Sequence, residues 1–233
     1  MTTFAAPINS AAGESNNLTL DAGTASIVFN ANIGANQSIG AFTIVEADGG
    51  VTFGESDTLD TATRTSFVTT INADGAIDIG TTSNVISGTG IRLNGGSAGN
   101  QLTLTTTDDD VRFNGSVKLQ SATVIDTGDA GAGDITFTSN APINSEDDST
   151  GATTAERNTL ILNAGTGSVF FNANIGTTQR LGALIVNTAA GGVTFGGADT
   201  ASTGSTGPVT DVMTDSSIDI GVGTTAAGVI GGT

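Results

Sequence analysis

Cysteine, histidine, tryptophan and tyrosine are all absent from this 233-residue chain, and lysine occurs once, as Lys118. The first two absences exclude a disulfide framework and any Cys/His zinc site. Six basic residues stand against 23 acidic ones, a formal net charge of −17. Nucleic acids and anionic bilayers are held by basic patches, so neither is an expected partner. No apolar run has the length of a membrane-spanning helix, and no membrane insertion is expected. The opening MTTFAAPIN has neither the basic n-region nor the apolar h-region of a signal peptide. Prolines number three and no G-X-Y period accompanies the 34 glycines, which excludes collagen.

What is present is a strand alphabet. Apolar residues make up 37% of the chain, enough to lift it above a disordered tail. They come as triplets with a polar centre: LTL, VTF, IDI, IRL, VRF, VKL and ITF. A period of two marks strands with one buried face. The only stretch fit for a helical turn is ATTAERN, residues 152–158.

The triplets belong to a longer repeat. LTLDAGTASIVFN from Leu18, LTLTTTDDDVRFN from Leu102 and LILNAGTGSVFFN from Leu160 share one frame. Each sets a Leu eleven residues before a Phe-Asn pair and a second Phe 24 residues after the first. Copy A spans 18–53, copy B 102–137 and copy A′ 160–195, with connecting coils at 54–101, 138–159 and 196–233. A and A′ are identical at 21 of 36 positions. APINS follows Phe4 and recurs near Phe137, and IDIG recurs at Ile77–Gly80 and Ile218–Gly221. The order is tail of B, A, B, A′, with a super-period of about 135–142 residues.

Fixed spacing with free variation between predicts an all-β fold, a single-stranded parallel β-helix with coils of about 24 residues running over 1–233 as one unit. A step of 24 sets Phe29 under Phe53, Phe113 under Phe137 and Phe171 under Phe195. It also sets Ile27 under Val51, Leu20 under Ile44 and Val111 under Ile135. These rings form the predicted ladder, and burying each stabilises by roughly 1.5–3 kcal/mol. About nine coils at about 4.8 Å give a rod on the order of 45 Å long. The glycines of DGG (Asp48–Gly50) and AGAG (Ala130–Gly133) are expected to turn corners at positive φ. Neither end shows a cap helix or capping repeat, so continuation into a longer array or a neighbouring subunit is expected.

Candidate sites are few. Asn30, Asn114 and Asn172 follow the first Phe of each copy, where an Asn ladder or a left-handed corner residue is expected. Asp108, Asp109 and Asp110 form the densest acidic run, and Asp126, Asp129 and Asp134 a second group. Both are candidate calcium ligands, with a solvated loop as the plainer reading. Glu146, Asp147 and Asp148 lie in an insertion that copy A lacks, expected to decorate a surface loop. Asn17, Asn36 and Asn114 head Asn-x-Ser/Thr sequons. No pair of acidic residues recurs at a spacing that marks a glycosidase, and lysine and sugar-stacking aromatics are scarce, so an enzyme is not expected. The threonines rarely line up as T-x-T, Thr103 and Thr105 being the best pair, which argues against an ice-binding face.

The runs LILNAGTGSVFFNANIG, LGALIVNTAAGGVTFG and SIDIG resemble the β-strand-repeat regions of large bacterial surface proteins. These include filamentous-haemagglutinin-like and autotransporter adhesins. The resemblance covers nearly the whole chain, but the N-P-N-G-type secretion motif of that family is not present, so no functional residue carries over. It implies a right-handed parallel β-helix, export, and a role in adhesion or an extracellular fibre. The expected function is therefore a structural β-solenoid outside the cell or at its surface. It is a repeating segment or self-associating subunit of a filament, sheath or matrix, its partner another copy or the rest of an array. The alternative is an adhesin stalk or passenger that meets a host surface or glycan through inserted loops such as 145–158. A polysaccharide-active enzyme is the remaining alternative.

Overall fold

A computed structural model describes residues 1–54, 67–96, 100–146, 157–196 and 209–221. Among them the chain is all β, without a helix, in three parallel sheets. Sheet I orders β1 (Thr2–Phe4), β3 (Ile27–Phe29), β5 (Val51–Phe53), β8 (Ile86–Leu93), β11 (Gly115–Leu119) and β14 (Ile143–Ser145). Sheet II orders β6 (Thr70–Asn72), β9 (Gln101–Thr105), β12 (Ala122–Asp126), β15 (Leu160–Asn163), β17 (Leu184–Thr188) and β19 (Ile218–Ile220). Sheet III orders β2 (Leu18–Asp21), β4 (Phe42–Glu46), β7 (Ile77–Ile79), β10 (Val111–Phe113), β13 (Ile135–Phe137), β16 (Ser168–Phe171) and β18 (Gly192–Phe195). Single parallel bridges extend sheet II through Ile8 and Ile33, and sheet I through Ile175 and Val212. Counting these, the chain visits I, II and III in unbroken rotation from β1 to β19.

The strands are short because each triplet buries two apolar ends and turns its centre outward. Ile27, Phe29, Val111, Phe113, Val169 and Phe171 are at most 1% exposed, while Val28, Arg112 and Phe170 are half-buried. The expected stacking holds: Leu20 pairs with Ile44, Ile27 with Val51, Phe29 with Phe53, Val111 with Ile135, Phe113 with Phe137 and Phe171 with Phe195.

Two expectations need correction. The coil is not uniformly 24 residues: Ile44 lies under Ile79, Ile125 under Leu162 and Val51 under Ile91, steps of 35, 37 and 40. Part of the longest step lies inside a strand: Ile86 to Ile91 of β8 spans what Gly115 to Val117 spans in β11, and the register shifts there. The seven repeat-position rings also form two columns. Phe4, Phe29 and Phe53 stack in sheet I; Phe113, Phe137, Phe171 and Phe195 stack in sheet III, with centroids 5.0–5.5 Å apart. Three strands separate copy A from copy B, where a return to the same sheet requires one or four. The first strand of copy A therefore lies in sheet III, and those of B and A′ lie in sheet II.

The glycines also divide. Gly50 turns its corner at φ 96°, as expected, but Gly131 and Gly133 do not adopt positive φ. They are small because Asp108 and Asp109 press on them: a Cβ on Gly131 would lie 2.1 Å from Asp108 Cβ. The possible helical turn at 152–158 falls mostly outside the described residues.

Candidate functional site

The polar features lie at the corners, where one turn's side chains meet the next turn's backbone. The acidic candidates act there as acceptors. Asp108, at φ 62°, takes the Ala130 and Gly131 amides at 3.2 and 2.6 Å on one oxygen. Asp110 takes the Asp134 amide at 2.8 Å, and Asp134 takes that of Ser168 at 2.7 Å. Asp126 takes the Gly128 amide at 3.0 Å and the Asn163 side-chain amide at 3.3 Å. The Asp109 carbonyl receives the Thr106 hydroxyl, and Asp129 is exposed. Among the described residues these carboxylates do not gather into a group of three or more suited to a metal ion. Asp147 and Asp148 lie outside the described residues.

The three Phe-Asn asparagines each follow the last residue of a strand, Asn114 and Asn172 after sheet III and Asn30 after sheet I, without stacking on one another. The Asn114 amide donates to the Ile79 carbonyl and that of Asn172 to the Phe137 carbonyl, with Thr138 between them in the column. Asn30 lies at the corner after sheet I, its amide on Phe4. Asn114 is fully engaged: its Nδ2 donates to Thr81 and Asn84 carbonyls, and its Oδ1 receives Thr138 Oγ1 and Asn140 Nδ2. Asn172 is 1% exposed with neither side-chain atom hydrogen-bonded, and Asn30 Oδ1 is likewise buried and unpaired. Of the sequons, Asn17 and Asn36 are exposed, whereas Asn114 is 2% exposed.

Sequence reasoning missed the asparagines that carry the corners. Asn32 Oδ1 takes the Thr69 and Thr70 amides at 2.8 and 3.3 Å, and Asn174 Oδ1 takes those of Thr210 and Asp211 at 2.8 and 3.4 Å. Asn9 does the same for Asn36 and Gln37, and Asn144 for Thr178 and Gln179. The signal was available: Asn32 and Asn174 are the second Asn of FNAN, which copy B replaces with FNGS. In copies A and A′ the amides so held follow the long segments after Gly54 and Gly196; copy B has a short corner there.

The five described basic side chains all meet carboxylates. Arg92 and Lys118 converge on Glu146 at 3.0 and 3.7 Å, and Arg112 lies 3.7 Å from Asp78. Arg157 and Arg180 share Asp215. Burial pushes the Asp78 carboxyl above its ordinary value; Arg112 opposes that shift and Asp110 adds to it. The outward rows are chemically mixed: Thr43, Asp78, Arg112, Thr136, Phe170 and Thr194 follow one another along sheet III. Thr103 and Thr105 face out beside Val124 and Asp126, so no threonine ladder forms there.

Compared with known protein families, with curated proteins and with solved structures, the chain matches none of them.

Proposed function

We propose that the chain is a single-stranded parallel β-helix serving a structural, non-catalytic role outside the cell, as a repeating segment or self-associating subunit of a surface filament, sheath or matrix. The observation that carries this reading is the unbroken rotation through three parallel sheets, with apolar columns running along each. Such a stack builds length rather than a cleft, and its backbone pairing has the same form at every turn. Among the described residues β18 and β19 are edge strands whose inward residues Phe195, Ile218 and Ile220 are 38–46% exposed. An edge of this kind is a template for a further parallel strand. The acidic surface disfavours unspecific sideways association of such rods. The resemblance to bacterial surface-protein repeats points the same way.

Electron microscopy of the purified chain, with light scattering over a concentration series, tests the reading. Rods that lengthen with concentration support it. A compact particle that stays monomeric at every concentration, with and without calcium, contradicts the subunit version.

The adhesin reading keeps one specific support. Three connections, 54–69, 94–100 and 146–159, leave sheet I and enter sheet II, so their described ends share one corner, whereas 196–211 leaves sheet III and enters sheet I. Deleting 147–156 is expected to abolish binding to a host surface or glycan while leaving β-type circular dichroism intact; unchanged binding counts against it.

A further inference from the structure

We propose that the chain docks sideways on a second copy of itself through a corner seat that its internal repeat holds in two chemical forms. The inference rests on the self-association reading above. In the first form the Asp74 amide donates to the Ile39 carbonyl at 2.7 Å and that of Gly40 to Asn16 at 2.8 Å. In the second, the Asp215 amide donates to Leu181 at 2.8 Å and that of Gly182 to Asn158 at 3.0 Å. The backbones are thus equivalent, and Ser15, Ser38 and Asp74 correspond to Arg157, Arg180 and Asp215.

The side chains differ, most consequentially in charge. Hydroxyls of Ser15 and Ser38 bond the exposed Asp74 carboxylate and hold it below its ordinary range, and exposed Glu14 adjoins them. Asp215 instead pairs with Arg157 and lies 3.8 Å from Arg180 Nη1. Two Ser-to-Arg exchanges make the second seat two charges more positive than the first. Arg180 is also the most exposed of the described cations, at 56%, against 14–35% for Arg92, Arg112, Lys118 and Arg157.

Two chains of charge −17 repel in most side-by-side orientations. An orientation that sets the arginine seat of one, with its exposed Arg180, against the Glu14–Asp74 seat of the other lowers that repulsion. Exposed pairs contribute only about 0.2–1 kcal/mol each, so the contact selects register rather than supplying affinity. The first seat lies between sheets II and III and the second between sheets I and II, so one contact leaves the other seat of each chain open, and the contact is head-to-tail and propagates. The seats lie fourteen stops apart in the three-sheet rotation, which is four and two-thirds turns. On the proposed β-helix, neighbours are offset by about 22 Å.

The full chain is compared with Arg157→Ser/Arg180→Ser, with Ser15→Arg/Ser38→Arg, and with all four exchanges combined. Each double variant copies a seat the fold already holds, and circular dichroism confirms folding. Sedimentation and negative-stain microscopy are run at low salt and at about 0.5 M, where exposed charges are screened. Wild type is expected to show lateral contacts offset by about 22 Å that salt disperses. Both double variants are expected to lose them, and the fourfold exchange to restore them. Lateral contacts unchanged in a double variant, or not restored in the folded fourfold variant, overturn the proposal. End-to-end rods without lateral contact overturn it and leave the self-association reading standing; strict monomers overturn both. Binding of a sulfated glycan at the arginines, without contact between copies, reassigns the seat and overturns the docking.

Discussion

Phe137 and Phe171 stand 34 residues apart in sequence yet lie face to face, ring centroids 5.5 Å apart and planes 5° from parallel. The step between them is ten residues longer than the steps on either side, and the column passes through it unbroken. Both rings are at most 1% exposed, and Phe137 has a ring on each side. Phe137→Ala is therefore expected to cost about 3–5 kcal/mol in urea unfolding. Phe195→Ala, at a site 38% exposed, is expected to cost less than half as much. Equal losses would mean that the interior column is not what the rings stabilise.

Asn114 and Asn172 share a repeat position and differ in engagement, so they should differ under the same substitution. Asn114→Leu removes the partners of Thr81, Asn84, Thr138 and Asn140 and is expected to destabilise by about 2–3 kcal/mol. Asn172→Leu replaces a buried, unpaired amide and is expected to stay within about 1 kcal/mol of wild type, or to stabilise. Chemical denaturation of both variants checks the difference, and a reversed order would contradict the corner assignment.

Asn32→Ala leaves the Thr69 and Thr70 amides without their acceptor. A loss of about 1–2 kcal/mol is expected, with faster hydrogen exchange at those two amides. Asn174→Ala is expected to do the same at Thr210 and Asp211. Exchange that is unchanged at these amides would show the clasp to be incidental.

The Asp78 carboxyl is raised from an ordinary value of 3.8, so between that value and its folded one the native chain binds the extra proton. Stability is then lost as pH rises through this window and is fuller below it. Asp78→Asn is expected to flatten that fall, and Arg112→Met, which removes the opposing cation, to extend it to higher pH. Urea midpoints measured from pH 3 to 7 decide the matter. A wild-type contribution that instead grows with pH across the window would contradict the sign.

The strand triplets and their inward ends were legible because period two and a 24-residue step survive in the text of each copy. Val111 over Ile135 and Phe171 over Phe195 follow from counting alone. The rotation of copy A onto different sheets was not legible, because it depends on how many strands the variable connections contain. The step from Val51 to Ile91 spans 40 residues, and counting apolar triplets along them does not say how many strands they hold. The corner clasps were half legible. Asn32 and Asn174 stand out as repeated residues, but their partners are backbone amides, which any residue supplies. The acidic run at Asp108–Asp110 looked like ligand chemistry because its amide partners at Ala130, Gly131 and Asp134 are a turn away.

Disulfide trapping of Val124→Cys paired with Ile161→Cys tests the three-sheet arrangement most directly, in a chain that has no cysteine of its own. The two positions are register partners in β12 and β15, half-buried and 37 residues apart, whereas a uniform 24-residue coil sets Ile161 over Phe137. Adjacent parallel strands about 4.8 Å apart suit disulfide geometry. Rapid crosslinking under native conditions, lost in urea, is the expected result. A native protein that fails to crosslink at this pair, while the Ile161→Cys/Ile185→Cys pair 24 residues apart does, would contradict it.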